Sequence, residues 1–385
     1  MRALMFASVA SMVDLFNRDN IKILEELGYK VDVAANFSEG SVYSAGQAKR
    51  FKKELIRTGH DVIDVPVPRS MYDIAGMVKT VIRLRKHMAA KHYDIIHCQS
   101  PIGGVLCRLA AAPFRKKGTK VVYYAHGFHF YKGADLFNRI VFYNIEKICA
   151  RITDCIITLN QEDYGAASRK FAARVEYVRG VGLNLDEIER VPVERESVRK
   201  ELGIPADKKI ILSVCELSRR KNCAAALEAF ARADRDDAVL VLCGIGEQMD
   251  MLKKLTVTLG VDKKVIFAGF CNDIIRMFKA SDMFIFTSKQ EGLPAALMQA
   301  MACGLPVVCS RIRGNTDLIE NKKQGFMCAY DNVDGFCKGI HILLDNPKLR
   351  RKMGSRSMEV IKLYDKKYVN EKMREIYLSL TDKNL

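Results

Sequence analysis

Residues 283–309 read MFIFTSKQEGLPAALMQAMACGLPVVC, and this stretch decides the fold class of the chain. It begins with the apolar run Met283 to Phe286 and ends with Val307 to Cys309, and such short apolar runs are typical of buried strands. Pro294 suits the first turn of a helix between them, which residues 304–306, Gly-Leu-Pro, bring to an end. The stretch therefore predicts a strand, a helix and a second strand of an α/β protein with a parallel sheet.

The same alternation of apolar runs and helix-period segments extends outward through nearly the whole chain. Two series of runs in succession predict two Rossmann-like, doubly wound parallel-sheet domains that face a central cleft. We expect domains at residues 1–182 and 200–363, a linker at 183–199, and a last helix within 364–385 that packs back on the first domain. The strand-like runs are Ala3 to Ala7, Val31 to Ala35, Val62 to Val67, Ile95 to His97, Val121 to Ala125, Cys155 to Leu159 and Val175 to Val178 in the first half, and Ile210 to Cys215, Val239 to Cys243, Val265 to Ala268, Met283 to Phe286, Val307 to Cys309 and Gly325 to Cys328 in the second.

The composition is that of a globular protein of the cytoplasm. Hydrophobic residues make up 49% and charged residues 28% of the 385 residues, and no apolar run reaches the roughly 20 residues that span a bilayer. The apolar run at the N-terminus breaks at Asp14, which favours a buried first strand over a signal peptide. The twelve cysteines include no Cys-x-x-Cys pair and no zinc-ligand spacing, so we expect buried free thiols and no metal.

The net charge of +17 points to an anionic partner, which could be nucleic acid, a membrane surface or a phosphorylated substrate. Nucleic-acid binding is disfavoured, because the sequence has no aromatic platform and no recognised motif. Residues 74–91 can form an amphipathic helix with Ile74, Met77, Val78, Val81 and Ile82 on its apolar side. Its basic face is either simply solvated or in contact with anionic lipid headgroups at the inner face of the cell membrane.

The loop after Phe286 carries the richest chemistry. The backbone N–H groups of Ala295 and Ala296 lie at a predicted helix N-terminus, which suits a diphosphate. Glu291 can accept hydrogen bonds from sugar hydroxyls, and Gln299 lies two turns along the same helix. Taken alone, the pattern also fits an ordinary capped helix with an acidic N-terminus.

Three other loops follow predicted strands and complete the candidate site. Arg219, Arg220 and Lys221 make a cationic clamp for phosphate oxygens or, alternatively, a solvated basic turn. His126 and His129 lie among aromatic residues and glycines after another strand. The remaining candidates for the cleft and the acceptor follow the first strand and are Ser11, Met12 and Asn17.

Residues 291–308 resemble the E-G-x-P-x-x-x-x-E-A-M-A-C-G-x-P-V-V segment of glycosyltransferase family four, with Gln299 in place of the second Glu. The run His126 to Gly133 resembles H-G-F-H-F-Y-K-G of a bacterial capsule and exopolysaccharide branch. Lys221 matches the lysine of the family's G-R-L-x-x-x-K-N loop, and Glu216 stands in place of its arginine. The resemblance spans about residues 3 to 330.

The resemblance implies the fold called GT-B and a retaining hexosyl transfer from a nucleotide-sugar, with a UDP-sugar favoured over a GDP-sugar. By the same resemblance Glu291 and His126 contact the donor sugar and act in catalysis. The donor is bound by Lys221 with Arg219 or Arg220, by Leu293, Ala295 and Ala296, and by Gln299 at the ribose. The acceptor is a glycan or a polyprenyl-diphosphate-linked sugar, and neither a metal nor another cofactor takes part.

Two alternatives remain open. After the first strand, Ala10 and Ser11 stand where most members of the family have a Gly-Gly turn. This departure, with Gln299 and Glu216, would also fit a catalytically weak sugar-nucleotide-binding relative or partner subunit. A sugar-nucleotide 2-epimerase shares the two-domain fold, but the long segment around Glu291 is not typical of that class. The sequence does not specify the sugar, the linkage or the oligomeric state.

Overall fold

Two parallel β-sheets, one in each half of the chain, organise the protein. The computed structural model describes residues 1–38, 45–68, 70 and 72–381, and within these ranges the first sheet has seven strands and the second has six. Neighbouring strands pair in parallel in both sheets. The chain divides into two compact units, one formed by residues 1–181 with the segment from Lys367 onward, the other by residues 182–366. The predicted α/β class with two Rossmann-like parallel-sheet domains is confirmed.

The first unit alternates strands and helices from its first residues. Its strands are β1 Arg2–Val9, β2 Lys30–Asn36, β3 Val62–Asp64, β4 Ile95–Gln99, β5 Lys120–Ala125, β6 Cys155–Thr158 and β7 Arg174–Tyr177. Its helices are α1 Ala10–Phe16, α2 Arg18–Glu26, α3 Ala45–Arg57, α4 Ile74–Ala90, α5 Pro101–Arg115, α6 Leu136–Ala150 and α7 Gln161–Ser168.

The second unit repeats the alternation. Its strands are β8 Lys209–Val214, β9 Ala238–Cys243, β10 Val265–Gly269, β11 Met283–Phe286, β12 Val307–Ser310 and β13 Gly325–Cys328. Its helices are α8 Leu185–Arg190, α9 Arg195–Leu202, α10 Cys223–Ala233, α11 Met249–Thr258, α12 Ile274–Ala280, α13 Ala295–Ala302, α14 Asn315–Leu318, α15 Val333–Asp345 and α16 Pro347–Ile361, with 3₁₀ turns at Asp262–Lys264 and Lys362–Tyr364.

The last helix, α17 Lys366–Thr381, returns to the first unit. Val369, Met373 and Ile376 are buried on its inner face. Its Tyr377 hydroxyl lies 2.6 Å from Nδ1 of His97 on β4. Burial lowers the pKa of His97 to about 3, so this imidazole is neutral at physiological pH and the bond joins two uncharged groups.

The predicted linker at residues 183–199 is wrong, because this segment is folded into the second unit. It contains helix α8 and the start of α9, and Ile188 and Val198 are buried in the core there. Each of these helices is only about two turns long, and most of its residues are charged. Its apolar residues are therefore too few to show a helical period in the sequence.

The apolar runs are continuous because both faces of each sheet are covered. In β8, Ile210 and Leu212 lie in one core of the second unit, and Ile211 lies in another. Within the described residues no helix is both long and apolar enough to cross a membrane.

The order of strands locates the sites. The first sheet runs β3-β2-β1-β4-β5-β6-β7 and the second runs β10-β9-β8-β11-β12-β13. Each order reverses once, between β1 and β4 and between β8 and β11, and ligands of open α/β sheets bind beyond the strand ends at such a switch point.

Candidate active site

The switch point of the second unit joins the loops that follow β8 and β11. Asn222 adopts φ 57°, and this left-handed conformation turns the chain directly into α10. Its Nδ2 donates to the carbonyl of Thr287 at 3.1 Å, and the Thr287 hydroxyl donates to the carbonyl of Asn222 at 2.8 Å. These reciprocal bonds fix the two loops against each other.

Lys221 and Glu291 form a nearly buried ion pair at this junction. Lys221 Nζ lies 2.6 Å from Glu291 Oε1, and the two side chains are only 15% and 8% exposed. The ammonium also lies over the Phe286 ring, 5.4 Å from its centroid. Arg220 NH1 lies 3.5 Å from the second carboxylate oxygen and donates to the carbonyl of Gln290 at 3.1 Å. The predicted clamp residues Lys221 and Arg220 thus converge on Glu291.

Arg313, in the loop after β12, holds the same segment from another side. Its Nε donates to the main-chain carbonyl of Glu291 at 3.0 Å, and the residue is 7% exposed. The next residue, Gly314, has φ 80°, and a Cβ there would lie 2.4 Å from the carbonyl oxygen of Gly292. Sequence reasoning gave Arg313 no role, although an arginine followed by glycine after a strand was the available signal.

Helix α13 begins at Ala295 and points its N-terminus into this loop. Pro294 is the N-cap and supplies no side-chain cap, so the first-turn N–H groups of Ala295 and Ala296 have no intrahelical acceptor. Ala295 is exposed and Ala296 half-buried, which leaves room for an anion. Leu293 packs against the core, and Gln299 is half-buried one turn further along α13.

Two residues of the β8 loop do not join the cluster. The Glu216 side chain is 63% exposed, and its nearest cation is Arg220, 3.9 Å away. Arg219 is exposed as well. Lys221 and Arg220 thus lie within 4 Å of the Glu291 carboxylate, and two cations beside one carboxylate favour an anionic ligand.

The glycines after β9 serve packing. A Cβ at Gly244 would lie 1.8 Å from the carbonyl oxygen of Cys215, and one at Gly246 would lie 2.4 Å from that of Leu217. Leu217 N donates to the carbonyl of Ile245 at 2.9 Å, so the β9 loop supports the β8 loop that carries Lys221.

The first unit places His126 at its own switch point. His126 Nε2 lies 2.7 Å from Oε1 of Gln99, the last residue of β4, while Gln99 Nε2 donates to the carbonyl of Met12 at 3.3 Å. Because the glutamine oxygen can only accept, His126 carries its proton on Nε2 and presents Nδ1 as an acceptor. Burial lowers the pKa of His126 to about 4, so the ring is neutral near pH 7.

The other candidates of the first unit have different surroundings. Ser11 lies in helix α1, which follows β1 directly, and Asn17 connects α1 to α2. The two residues are buried, at 3% and 1% exposed. Asn17 Nδ2 donates to the carbonyl of Met12 at 3.0 Å. The ring of His129 packs edge-on against Phe142 at 4.9 Å, whereas His126 pairs with Gln99.

The cysteines agree with the expectation of buried free thiols. All twelve cysteines are free, and each is buried or half-buried. In the part of the chain that the structure describes, no group of three or more His, Cys, Asp or Glu side chains could hold a metal ion.

Comparisons with known proteins identify the family of the chain. Residues 194–360 match the family described as glycosyl transferases group 1, and residues 18–176 match Glycosyltransferase Family 4. EpsD of Bacillus subtilis (strain 168), named as a glycosyltransferase, is 31% identical over 99% of this chain and 97% of its own length. A UDP-Gal:α-D-GlcNAc-diphosphoundecaprenol α-1,3-galactosyltransferase of Escherichia coli is 27% identical over 79% of this chain and 80% of its own.

Solved structures share the fold at low identity. Sucrose-phosphate synthase from Thermosynechococcus elongatus has a TM-score of 0.79 at 18% identity and covers 99% of both chains. HepE of Anabaena in complex with UDP-glucose has a TM-score of 0.78 at 20% identity, over 98% of this chain and 100% of its own. With two GT-B sheets, matches to both domain families and a full-length relative, the chain belongs to glycosyltransferase family 4 and is a glycosyltransferase.

Proposed function

We propose that the protein transfers a hexosyl residue from a UDP-sugar, with retention of anomeric configuration, to a sugar carried on a polyprenyl diphosphate in polysaccharide assembly. The observation that carries the proposal is the Lys221–Glu291 pair at the switch point of the second sheet, 2.6 Å apart beside the N-terminus of α13. Lys221 and Arg220 suit a diphosphate, and the carboxylate suits sugar hydroxyls.

The chemistry follows from these groups. The bond from the anomeric carbon to the UDP oxygen breaks, the acceptor oxygen bonds to the same face of that carbon, and the acceptor proton passes to the departing phosphate. Lys221, Arg220 and the α13 amides stabilise the charge on the diphosphate as it leaves. Glu291 holds the sugar hydroxyls as positive charge develops on the ring. The protein's own cations thus supply the stabilisation, and we expect no metal requirement.

The relatives guide the choice of donor and acceptor. The Escherichia coli relative is named for a UDP-galactose donor and a diphosphoundecaprenol-linked acceptor. Two relatives from Campylobacter jejuni are likewise named for diphospho-undecaprenol-linked acceptors, at 31% identity over 41% and 24% over 85% of this chain. These names support a UDP-sugar and a lipid-linked acceptor for this chain.

A panel of nucleotides and nucleotide-sugars tests the donor assignment. We expect UDP and at least one UDP-sugar to raise the melting temperature more than their GDP counterparts. We also expect UDP release from that sugar in the presence of acceptor, with an axial or equatorial product linkage that repeats the donor's. Binding without turnover would instead favour a catalytically weak sugar-nucleotide-binding relative, and an inverted linkage would refute retention.

Helix α4 supports a further part of the proposal, contact with an anionic membrane surface from the cytoplasmic side. Ile74, Val78 and Ile82 recur every four residues and are 68%, 52% and 61% exposed. Met77 and Val81, predicted on the same apolar side, pack instead against the core of the first unit. The exposed cations Lys79, Arg83 and Lys86 stand beside the exposed apolar stripe, a combination that suits anionic lipid headgroups.

Vesicle sedimentation tests this contact. The triple variant Lys79→Gln, Arg83→Gln, Lys86→Gln should bind phosphatidylglycerol vesicles at least ten-fold more weakly than the wild type, since each basic residue near such a surface contributes about 1 kcal/mol. Lys49→Gln, Arg50→Gln, Lys53→Gln on α3 removes the same charge from exposed positions and serves as the control. Equal loss in both variants, or none in either, would refute a role for α4.

A further inference from the structure

A groove in the first unit lies between helices α6 and α7 and beside the loop that carries His126. It encloses about 440 Å³ and is lined by Phe130, Leu136, Arg139, Ile140, Tyr143, Asn144, Ala166 and Lys170. Its volume falls within the roughly 300–1,000 Å³ of small-molecule sites. The groove is separate from the Lys221–Glu291 cluster, which lies in the other unit.

One wall of the groove is apolar and open to solvent. Leu136, Phe137 and Ile140 on the first turns of α6 are 70%, 61% and 53% exposed. Single exposed apolar side chains are normal on a protein surface, but three large ones exposed together on one helix form an apolar patch. Such a wall suits a hydrocarbon chain.

The rotation of α6 that exposes this wall is fixed from the buried side. Glu146 pairs with Arg108 of α5 at 2.8 Å and accepts a hydrogen bond from the Tyr123 hydroxyl at 3.1 Å. Arg108 is fully buried and stacks 3.8 Å from the centroid of the Tyr123 ring. Turning α6 to bury Leu136 and Ile140 would break this buried ion pair, which is strongly destabilising.

The other part of the groove is cationic. Arg139 and Lys170 line this space, and the ammonium groups of Lys170 and of the nearby Lys147 lie 5.7 and 5.8 Å from the centroid of the Tyr143 ring. Within the described residues neither Arg139 nor Lys170 forms an ion pair with a carboxylate. Two unneutralised cations beside an apolar wall are complementary to a ligand that joins a diphosphate to a hydrocarbon chain.

The aromatic loop connects the groove to the candidate site of the first unit. Phe130 stacks on Phe128 at 4.6 Å and packs edge-on against Tyr143 at 5.4 Å. His126 is four residues before Phe130 in this loop, so a ligand held in the groove lies next to the segment that carries the histidine.

We propose that this groove binds the isoprenoid diphosphate of the lipid-linked acceptor, with the diphosphate at Arg139 and Lys170 and the first isoprene units along Leu136 and Ile140. The proposal rests on the proposed function in assuming a polyprenyl-diphosphate-linked acceptor. It adds the place on the chain that holds the carrier.

Titration with farnesyl diphosphate, a soluble isoprenoid diphosphate, tests the proposal in the intact protein. Saturating UDP is present throughout, so that the diphosphate site of the second unit is occupied. We expect farnesyl diphosphate to bind at least ten-fold more tightly than either farnesol or inorganic diphosphate. The double variant Arg139→Gln, Lys170→Gln should weaken that binding about ten-fold or more, and Leu136→Ser, Ile140→Ser should reduce it toward that of inorganic diphosphate.

The control variant Lys116→Gln, Lys117→Gln removes two exposed cations from the end of α5 and should leave the affinity unchanged. The groove is refuted as the carrier site if the Arg139 and Lys170 variant binds as the wild type does, or if inorganic diphosphate binds as tightly as farnesyl diphosphate. It is also refuted if the Leu136 and Ile140 variant loses binding to vesicles that contain no isoprenoid diphosphate, since the wall is then a membrane contact. Farnesyl diphosphate binding in a protein that turns over no UDP-sugar would overturn the proposed function alone.

Discussion

Lys221 and Glu291 neutralise each other before any donor binds. Their separation of 2.6 Å and low exposure mean that removing Glu291 leaves the Lys221 ammonium nearly buried without its carboxylate, which costs about 3–5 kcal/mol. Removing Lys221 leaves Glu291 with Arg220 at 3.5 Å. We expect a bound donor to replace the Lys221–Glu291 ion pair with new contacts. Its diphosphate would pair with the Lys221 ammonium, and its sugar hydroxyls would donate to the Glu291 carboxylate. The pair is therefore both a structural contact and a preorganised site.

Gln299→Glu tests whether the amide at this position weakens ribose binding. A carboxylate accepts stronger hydrogen bonds from two hydroxyls than an amide oxygen does, so we expect UDP to bind roughly three- to ten-fold more tightly to the variant. Calorimetric titration with UDP gives the affinity, and Gln299→Met, which cannot accept such bonds, should bind more weakly than the wild type. Equal affinities in all three proteins would exclude position 299 from the site.

His126 should make the stability of the first unit depend on pH. Burial lowers its pKa from 6.5 to about 4, so between these values the unfolded chain binds a proton that the folded protein does not. Stability therefore falls as pH falls from 6.5 toward 4, by up to about 1.4 kcal/mol per pH unit from this residue. His126→Gln should remove that part of the dependence.

Hydrogen exchange of the β4 and β5 amides in increasing urea, at pH 7, 6 and 5, measures this effect. Burial also lowers the pKa of His97 in both proteins, and the smaller lowering that His126 causes belongs to the effect that the variant removes. The exposed His92→Gln is the matched control. A variant whose pH dependence equals that of the wild type would show that His126 is protonated in the folded state.

At the scale of the element, three loops of the second unit hold one another. The loop after β12 approaches the Glu291 loop so closely that Gly314 admits no side chain, with Gly292 O only 2.4 Å from a Cβ at that position. This contact and the hydrogen bond from Arg313 to the main-chain carbonyl of Glu291 fix the position of the Glu291 carboxylate.

Gly314→Ala should therefore raise the KM for the donor several-fold, because the clash displaces the Glu291–Pro294 segment. The control Gly260→Ala has a similar φ of 68° and nothing within 4 Å of its Cβ, so it carries the backbone strain of about 1 kcal/mol without the displacement. Steady-state kinetics of both variants separates the two effects. Unchanged donor kinetics in Gly314→Ala would mean that the loop contact does not position the site.

The elements that sequence predicted well are those buried on both faces. The run Met283 to Phe286 coincides with β11, because every residue of it is in a core. The sequence does not predict helices α8 and α9, because each buries only one or two apolar residues and most of its other residues are charged. Likewise, Ser11 and Asn17 are residue types that suit a ligand loop equally well. The structure buries Ser11 in helix α1 and Asn17 at the junction of α1 with α2.

Side-chain pairing was beyond sequence reasoning for a related reason. Residues 221 and 291 are 70 positions apart, and only the strand order places β8 next to β11. The sequence assigns each of these residues to the end of a strand. Which strands are neighbours then determines the partners of Lys221, the tautomer of His126 and the contact that Arg313 makes.

In the proposed mechanism, groups of the protein itself supply all the stabilisation of the charge on the departing diphosphate. We therefore expect turnover of the UDP-sugar to be unchanged within about two-fold when a chelator is present, since Lys221, Arg220 and the α13 amides do the work that a divalent cation does in other enzymes. Initial rates with and without EDTA, followed by magnesium or manganese add-back, measure this. Loss of activity in chelator that either metal restores would contradict it.

In the proposed mechanism, Lys221 stabilises the departing diphosphate. The most direct test is kcat/KM for the UDP-sugar in Lys221→Gln, with Lys289→Gln, an exposed lysine of the neighbouring loop, as the control. The free energy of unfolding of Lys221→Gln, measured by urea denaturation beside that of the wild type, separates lost stability from lost catalysis. We predict a fall in kcat/KM of roughly 100-fold or more in Lys221→Gln, and a change under two-fold in the control. A Lys221→Gln protein that is folded and keeps kcat/KM within about three-fold of the wild type would contradict the account.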